Sequence, residues 1–385
     1  MSQLKSIKKW FWWHRWTSLI CTLFLLLLCF TGLPLIFEEE IDGWLNPTHY
    51  EQLPANTPRA NLDPLIKEAH RRYPQQVITS MMIDDDEPQT LIFMAPTFKP
   101  DDKLAHSLQF DQRTGKLIKD NLPFEQQPQT FIGLMLSLHV DLFMDLPGEL
   151  FLGLMGILFV ISIISGIVLY GPFMKKLDFG TVRFERSRRL KWLDLHNLLG
   201  IATAIWLLVV GVTGVINEMS TPLFGLWQIT DVKHILDKYK GSAVPAQNQL
   251  TSAEAAFQLA EKTLPGMEVT SMVFPGNTFG SPYHYVLWAK GKEPFTSRLF
   301  TPMLIDARSG KLSQIIDLPG YLRGLEVSRP LHFGDYGGTP LKVLWALFDA
   351  VAIIVLISGV YLWVVRRKFY EDYFKRIEYE ETATV

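Results

Sequence analysis

Four long apolar runs set the layout of the chain. They are nearly free of charged side chains and cover residues 17–37, 149–170, 196–216 and 343–365. A helix needs about 20 apolar residues to cross a bilayer, so each run predicts one transmembrane helix. Well over half of the 385 residues lie outside these runs. The pattern therefore indicates a membrane protein with large extramembrane parts, not a soluble enzyme or a pure helical transporter.

Two polar segments, one after the first run and one after the third, share one order of predicted elements. Each contains a helical stretch, 62–73 or 252–264, followed by runs in which apolar and polar residues alternate. Alternation with a period of two indicates β-strands with one buried face. The pattern D-x-x-[ST]-G-K-L, which begins at Asp111 and again at Asp306, is typical of a hairpin turn with glycine at positive φ. We therefore expect an α+β domain with an antiparallel sheet in each segment.

The apolar runs also repeat, through histidines and glycines at fixed spacings. A spacing of eighteen residues occurs twice, in His14–Gly32 and His196–Gly214. A spacing of 27 residues also occurs twice, in His139–Gly166 and His332–Gly359. Each half of the chain thus reads as helix, extramembrane domain, helix. We predict an internal two-fold duplication whose pseudo-axis runs along the membrane normal.

Basic residues predict the orientation in the membrane. Short segments rich in Lys and Arg stay on the cytoplasmic side, and three such segments are 1–16, 171–195 and 366–385. We therefore expect cytoplasmic termini and place the segments 38–148 and 217–342 on the outer face. The link 171–195 carries seven basic residues: Lys175, Lys176, Arg183, Arg186, Arg188, Arg189 and Lys191.

Four of the nine histidines obey the repeat spacings, and topology sorts them into two pairs. His14 and His196 enter helices from the cytoplasmic side, whereas His139 and His332 precede helices on the outer side. Two neutral imidazoles that face each other across a pseudo-two-fold axis suit the axial positions of a six-coordinate haem iron. Zinc is disfavoured, because no cysteine or nearby carboxylate completes a tetrahedral site. Anchoring of amphipathic rings at the membrane interface is the alternative reading.

Covalent attachment of haem is excluded, because the chain has no C-x-x-C-H motif. Its two cysteines, Cys21 and Cys29, both lie in the first apolar run, so no disulfide is expected in the outer segments. The expected cofactors are therefore two haems b. Their propionates would favour a cation, and Arg329, three residues before His332, is the preferred partner. Further candidates are Arg15, Arg188, Arg189 and Arg323.

The motifs around these histidines resemble the PepSY-associated transmembrane helix family. They are H-R-W at His14, L-H-N-L-L-G at Leu195, and two units in which L-H precedes I-S-G. The D-x-x-[ST]-G-K-L hairpins are similar to those of PepSY domains, so the resemblance implies one PepSY-like domain in 38–148 and another in 217–342. One departure is Ser18, which stands where the second half has Gly200. The resemblance covers almost the whole chain.

The resemblance implies an inner-membrane protein of Gram-negative bacteria that serves iron acquisition. The family includes di-haem ferric-siderophore reductases of the FoxB type, whose ligands would fall on the four repeated histidines. It implies an oxidoreductase that takes electrons from a quinol or a cytoplasmic reductase and reduces a ferric siderophore, with release of Fe(II). Membrane lipid is expected as a partner, and a net charge of −2 argues against nucleic acid. Two alternatives stay open: a membrane-anchored PepSY module that regulates proteases, and an electron relay to another protein or a quinone.

Overall fold

The computed structural model describes residues 2–54, 56–84, 87–98, 102–174, 178–293 and 296–382. Lys175 and Lys176, which contributed to the predicted orientation, lie outside the described residues. The chain divides into two compact units. The helical unit comprises Met1–Asp42, Phe131–Thr221 and Ser328–Val385, and the sheet unit comprises Gly43–Thr130 and Pro222–Val327.

The described residues form eleven α-helices and eight β-strands. The helices are α1 Ser2–Leu35, α2 Glu38–Leu45, α3 Leu62–Arg72, α4 Phe131–Val140, α5 Asp145–Met174, α6 Arg188–Glu218, α7 Ser220–Trp227, α8 Lys233–Asp237, α9 Ala253–Thr263, α10 Gly320–Phe333 and α11 Gly338–Thr382. The strands are β1 Val77–Asp84, β2 Gln89–Ala95, β3 His106–Asp111, β4 Leu117–Asp120, β5 Met267–Val273, β6 His284–Gly291, β7 Phe300–Asp306 and β8 Leu312–Ile315.

The four long helices are long and apolar enough to cross a membrane. Their candidate spans are Ser6–Leu35, Asp145–Gly171, Arg188–Glu218 and Gly338–Val365. The chain is therefore a multi-pass membrane protein with four membrane helices, as the apolar runs predict. All four spans begin before their apolar runs, because helical hydrogen bonding continues through flanking polar and aromatic residues. Within the unit, α1 and α6 each pack against both α5 and α11. The helices therefore form a ring in which α1 and α6 occupy one diagonal.

The sheet unit contains one antiparallel sheet with strand order β4-β3-β2-β1-β5-β6-β7-β8. The two polar segments, predicted as separate domains, instead contribute four strands each to this single sheet. They meet where β1 pairs with β5, and Met81 lies opposite Met272. Both methionines are fully buried and belong to one apolar core with residues of α3 and α9. The α+β character is thus observed, but in one continuous unit.

The two predicted hairpins are present with the expected turn geometry. Gly115 has φ +68° and Gly310 has φ +69°, a conformation that favours glycine. In the first turn the Asp111 side chain accepts hydrogen bonds from the backbone N–H groups of Arg113 and Thr114, at 2.9 and 2.8 Å. Asp306 accepts the equivalent bonds in the second turn. The leading aspartate of the motif therefore fixes the turn.

Candidate functional site

The structure brings together the two histidines predicted on the cytoplasmic side. We call them the inner pair, and the two predicted on the opposite side the outer pair. His14 lies on α1 and His196 lies on α6, the two diagonal helices, and their ring centroids are 6.4 Å apart. Each imidazole also contacts a neighbouring helix of the bundle. Nδ1 of His14 donates to the carbonyl of Ser162 on α5 at 2.8 Å, and Nδ1 of His196 donates to the carbonyl of Val355 on α11 at 3.0 Å. The pairing predicted from topology is therefore present in the structure.

The outer histidines form a second pair of the same kind. His139 lies on α4 and His332 on α10, and their ring centroids are 6.3 Å apart. Here the supporting helices are α1 and α6. Nδ1 of His332 donates to the carbonyl of Val210 at 3.0 Å. The ring of His139 donates to the carbonyl of Leu28, and its Nδ1 lies 3.0 Å from the hydroxyl oxygen of Thr31.

These contacts fix the tautomer of the rings. A carbonyl oxygen only accepts, so the proton of His14, His196 and His332 must lie on Nδ1 and their lone pair on Nε2. The same follows for His139, because the Thr31 hydroxyl donates to the carbonyl of Leu27 at 2.9 Å and can therefore accept from Nδ1. A neutral imidazole with its lone pair on Nε2 and Nδ1–H bound by a carbonyl is the usual state of a metal-ligating histidine.

A hydroxyl residue accompanies each carbonyl. Ser358 places its oxygen 3.0 Å from Nδ1 of His196, Thr213 lies 3.2 Å from Nδ1 of His332, and Ser165 lies 3.4 Å from Nδ1 of His14. These hydroxyls donate to carbonyls of their own helices, at 2.7 to 2.8 Å. Their oxygens are thereby oriented to accept from the histidines. Sequence reasoning used these residues only as repeat markers, although the dipeptide [ST]-G recurs once in each of the four membrane helices.

The four repeated glycines make room for the rings. A methyl group in place of each glycine hydrogen would lie very close to the Cε1 atom of one histidine: 2.9 Å for Gly32 and His139, 3.1 Å for Gly166 and His14, 3.1 Å for Gly214 and His332, and 3.4 Å for Gly359 and His196. Most of these distances are too short for a relaxed carbon–carbon contact. We call each unit of hydroxyl, glycine and carbonyl a histidine cradle. Each 18- or 27-residue spacing therefore joins a histidine of one pair to a cradle glycine of the other pair.

Removal from water lowers the pKa of both outer rings. For His139 burial is the larger cause, and the neighbouring His332 lowers its pKa further. Burial likewise lowers the pKa of His332, although its bond to the Val210 carbonyl acts in the opposite direction. A lowered pKa keeps the imidazole neutral near pH 7, and only the neutral form can bind a metal through Nε2.

The geometry of each pair fits the axial ligands of one metal ion. A metal–imidazole bond is about 2 Å long, so two rings on opposite sides of one ion have centres about 6 Å apart. Among the described residues, no group of three or more His, Cys, Asp or Glu side chains could hold a metal ion. Each pair therefore supplies two ligands only. A haem completes such a site, because the porphyrin supplies four ligands in the plane.

An apolar groove runs along α4, the helix that carries His139. It has a volume of about 720 Å³ and lies between α1, α4 and α11. Met135, one helical turn before His139, lines it, together with Phe30 and the small residues Ala346 and Ala350. An apolar slot between helices is the environment that a flat macrocycle requires. The groove therefore offers apolar space along α4, although neither His139 nor His332 is among its lining residues.

The predicted arginine partners differ in their surroundings. Arg329 is half-buried on α10, one turn before His332. Arg323 lies in the sheet unit, where its guanidinium binds Glu326 at 2.8 Å and the carbonyl of Phe300 at 2.7 Å. On the inner side, Arg15 lies over the Trp16 ring at 5.3 Å. Arg188 is exposed and Arg189 is half-buried. Arg329 keeps its place as the preferred candidate near the outer pair.

Residues 11–366 match the family model described as the PepSY-associated TM region. This chain belongs to that family. One relative is the uncharacterized protein PA4219 of Pseudomonas aeruginosa, which is 25% identical over 264 residues. The matched part covers 61% of this chain and 64% of the relative. The chain therefore spans a little under two thirds of the relative's length. The match of the family model, which includes both histidine pairs, carries the assignment.

Proposed function

We propose that this protein is a di-haem b oxidoreductase that carries electrons across the inner membrane to a ferric siderophore. His14 and His196 would hold the inner haem, and His139 and His332 would hold the outer one. The observation that carries the proposal is the pairing of rings at 6.4 and 6.3 Å. In both pairs Nδ1 is bound to a neighbouring helix, which leaves Nε2 to bind iron.

The residues of the chain have separate tasks in this proposal. The histidines would bind the haem iron, and the carbonyls and hydroxyls of the cradles hold each imidazole in one tautomer and one orientation. The glycines allow the close approach. The haems, when bound, supply reversible one-electron chemistry between Fe(III) and Fe(II). Because His14 and Gly32 are eighteen residues apart on α1, the two cradled sites are offset by about 27 Å of helical rise. Such an offset is comparable with the thickness of the hydrocarbon core.

The proposed orientation places both termini in the cytoplasm and the sheet unit in the periplasm. The basic segments 1–16, 171–195 and 366–385 support this orientation. We also propose that the chain arose by duplication. The repeat spacings, the four similar cradles and the opposition of Met81 and Met272 at the centre of the sheet support it. Arg329 would bind a propionate of the outer haem.

The proposed substrate class rests on the family resemblance and on the chemistry of iron. Siderophores bind Fe(III) through hard oxygen donors, and transfer of one electron gives Fe(II), which these donors hold less tightly. The iron would then be released on the outer side. The electron donor would be a membrane quinol or a cytoplasmic reductase. Either donor would pass its electrons one at a time to the bound haems.

The test is a reoxidation assay on the purified, prereduced protein in detergent. Ferric siderophores of hydroxamate and catecholate type are added one at a time, and Fe(II) is trapped by a ferrous chelator. We expect haem reoxidation with one Fe(II) trapped per electron. His332→Ala should abolish the reoxidation of haem by ferric siderophore. His70→Ala, in the sheet unit, should not change its rate.

Reoxidation by quinones or partner proteins, but by no ferric siderophore, would contradict the reductase function and favour the relay. Protein that contains no haem but binds a protease would favour the regulatory module.

A further inference from the structure

One carboxyl group is buried inside the helical unit without a compensating charge. Asp349 lies on α11 within the span Gly338–Val365, and only 8% of its surface is exposed. The thiol of Cys29 on α1 forms a hydrogen bond with this carboxyl. Its Oδ2 atom is buried and has no hydrogen-bond partner among the described residues. Burial makes ionisation of this carboxyl costly unless a positive charge lies nearby, and ionisable groups inside membrane spans are commonly functional.

The repeat provides an internal comparison for this pair. The spacing that relates Gly32 to Gly214 also relates Cys29 to Gly211, and the spacing that relates Gly166 to Gly359 relates Gly156 to Asp349. At the equivalent place the chain thus has two glycines instead of a thiol and a carboxyl. There, apolar side chains of Phe159, Val160 and Val215 fill the space. The fold therefore does not require a polar pair at this position.

Asp349 is close to the supports of both outer histidines. Cys29 follows Leu28, whose carbonyl accepts a hydrogen bond from the ring of His139. One turn before Asp349, the indole Nε1 of Trp345 donates to the carbonyl of His332 at 3.2 Å. The carboxyl group thus lies between the two structural elements that hold the outer pair.

Among the described residues, no cation of a neighbouring helix forms an ion pair with Asp349. On α11, Lys342 lies two turns away and binds Glu39 and Glu40 of α2, at 3.1 and 3.0 Å. On α1 the titratable neighbour is Cys29. On α6 and α5, the titratable groups near the same end are Glu218 and Glu149, and on α4 and α10 they are the two outer histidines.

A second buried polar atom lies nearby. The indole ring of Trp206 on α6 packs against Phe348, with ring centroids 5.6 Å apart, and its Nε1 has no partner among the described residues. Phe348 directly precedes Asp349. A buried donor and a buried acceptor, both without described partners, thus lie on adjoining parts of α6 and α11. Polar groups of this kind commonly bind an internal water molecule, which would give a proton a route to the carboxyl.

We propose that Asp349 is a proton-binding site inside the bundle that takes up one proton when the outer haem gains one electron. The second part rests on the proposed function. While the outer haem iron is Fe(III), its positive charge would stabilise the Asp349 carboxylate. An added electron would remove that charge and favour the neutral acid, so the carboxylate would bind one proton for each electron. By linkage, binding of the proton must in turn favour reduction. The outer haem would therefore become harder to reduce as the pH rises.

The first experiment is a redox titration of the full-length protein at several pH values. The outer component is identified by its loss in His139→Ala. We expect its midpoint potential to fall by as much as about 59 mV per pH unit, the value for one proton per electron. Asp349→Asn should flatten this dependence, and Glu125→Gln, an exposed change in the sheet unit, should leave it intact. An equal slope in Asp349→Asn and in the parent protein would overturn the linkage.

The second experiment needs no haem. Infrared difference spectra of the haem-free protein between acid and alkaline pH should contain a carboxylic acid C=O band that is absent from Asp349→Asn and shifted in Cys29→Ala. If the protein binds no haem, the proposed function fails, yet this band still decides whether Asp349 binds a proton. An unchanged difference spectrum in Asp349→Asn would overturn the proton site itself.

Discussion

The inner and outer histidine pairs have the same geometry, but different structural elements carry and support their rings. The inner pair is carried by α1 and α6 within the membrane spans, and its cradles lie on α5 and α11. The outer pair is carried by the short helix α4 and by α10, outside the spans, and its cradles lie on α1 and α6. The centroid separations differ by only 0.1 Å, at 6.4 and 6.3 Å. The cradle is therefore the same in both pairs, whereas the kind of helix that carries the histidine differs.

This difference has a consequence for rigidity. The inner rings are fixed by helices whose backbone hydrogen bonds cannot exchange with water in the bilayer. The outer ring of His139 depends on α4, which joins α5 through a tight turn in which Leu142, Phe143 and Asp145 have φ between 52° and 61°. Such values are uncommon for residues other than glycine. We therefore expect the outer site to be the more sensitive of the two to small substitutions.

Removal of a ligand should have the largest effect. His14→Ala should eliminate the inner haem and His139→Ala the outer haem, so that each variant binds one haem per chain instead of two. A single remaining ring cannot supply both axial ligands. The pyridine haemochrome assay measures the content, and His70→Ala is the control.

Loss of both haems in either single variant would show that the two sites are not independent. Loss of neither would show that these histidines are not ligands.

Filling a cradle should have the next largest effect, and the loss of haem should follow the distance between the added methyl group and the ring. A methyl group at Gly32 lies 2.9 Å from His139, whereas one at Gly359 lies 3.4 Å from His196. Gly32→Ala should therefore remove much of the outer haem, and Gly359→Ala should leave most of the inner haem. A matched control is Gly200→Ala, since a methyl group there has no neighbour within 4 Å. Equal losses in the two cradle variants would contradict a steric role that depends on distance.

Removal of a cradle hydroxyl should have a smaller effect, because a backbone carbonyl still accepts from Nδ1. Second-sphere changes of this kind commonly weaken metal binding by about 10- to 100-fold. We expect about a tenfold loss of haem affinity in Thr31→Val, whose oxygen lies 3.0 Å from His139. Ser165→Ala should have little effect, because its oxygen lies 3.4 Å from His14. Titration of the haem-free variants with haemin measures both, and the reverse order would contradict the assignment.

The smallest effect on haem content is expected from the sheet unit. Arg59 binds Glu254 at 3.0 Å, and the same carboxylate accepts from the backbone N–H of Leu62 at 2.9 Å. Burial acts to raise the pKa of Glu254, but these hydrogen bonds outweigh it and lower the pKa. The carboxylate therefore stabilises the unit above the ordinary glutamate pKa of about 4.3. This stability is lost as the pH falls towards the folded-state pKa.

Glu254→Gln should therefore destabilise the sheet unit at pH 7 by about 1–3 kcal/mol, and the difference from the parent protein should shrink below pH 4 or so. Thermal denaturation measures the stability. Haem content should stay at two per chain, and its loss would show that the sites depend on the sheet unit.

Much of this arrangement could be predicted because repetition made it visible. The four membrane helices follow from apolar runs, the hairpins from Asp111 and Asp306, and the two histidine pairs from topology and spacing. The continuous sheet could not be predicted, because pairing of β1 with β5 joins edges that look alike in sequence. Asp349 was overlooked because one carboxyl hardly changes the mean hydropathy of a run. The sequence feature that indicates it is a single acid at a repeat position where the first half of the chain has Gly156.

The most direct test of the account is the number and ligation of haems in the purified full-length protein. The haem-to-protein ratio and the low-temperature electron paramagnetic resonance spectrum of the oxidised protein are measured on one sample. The account predicts two haems b per chain, both low-spin with two histidine ligands. Colourless protein, or a haem content that is the same in the parent protein and in His14→Ala and His139→Ala, would contradict it.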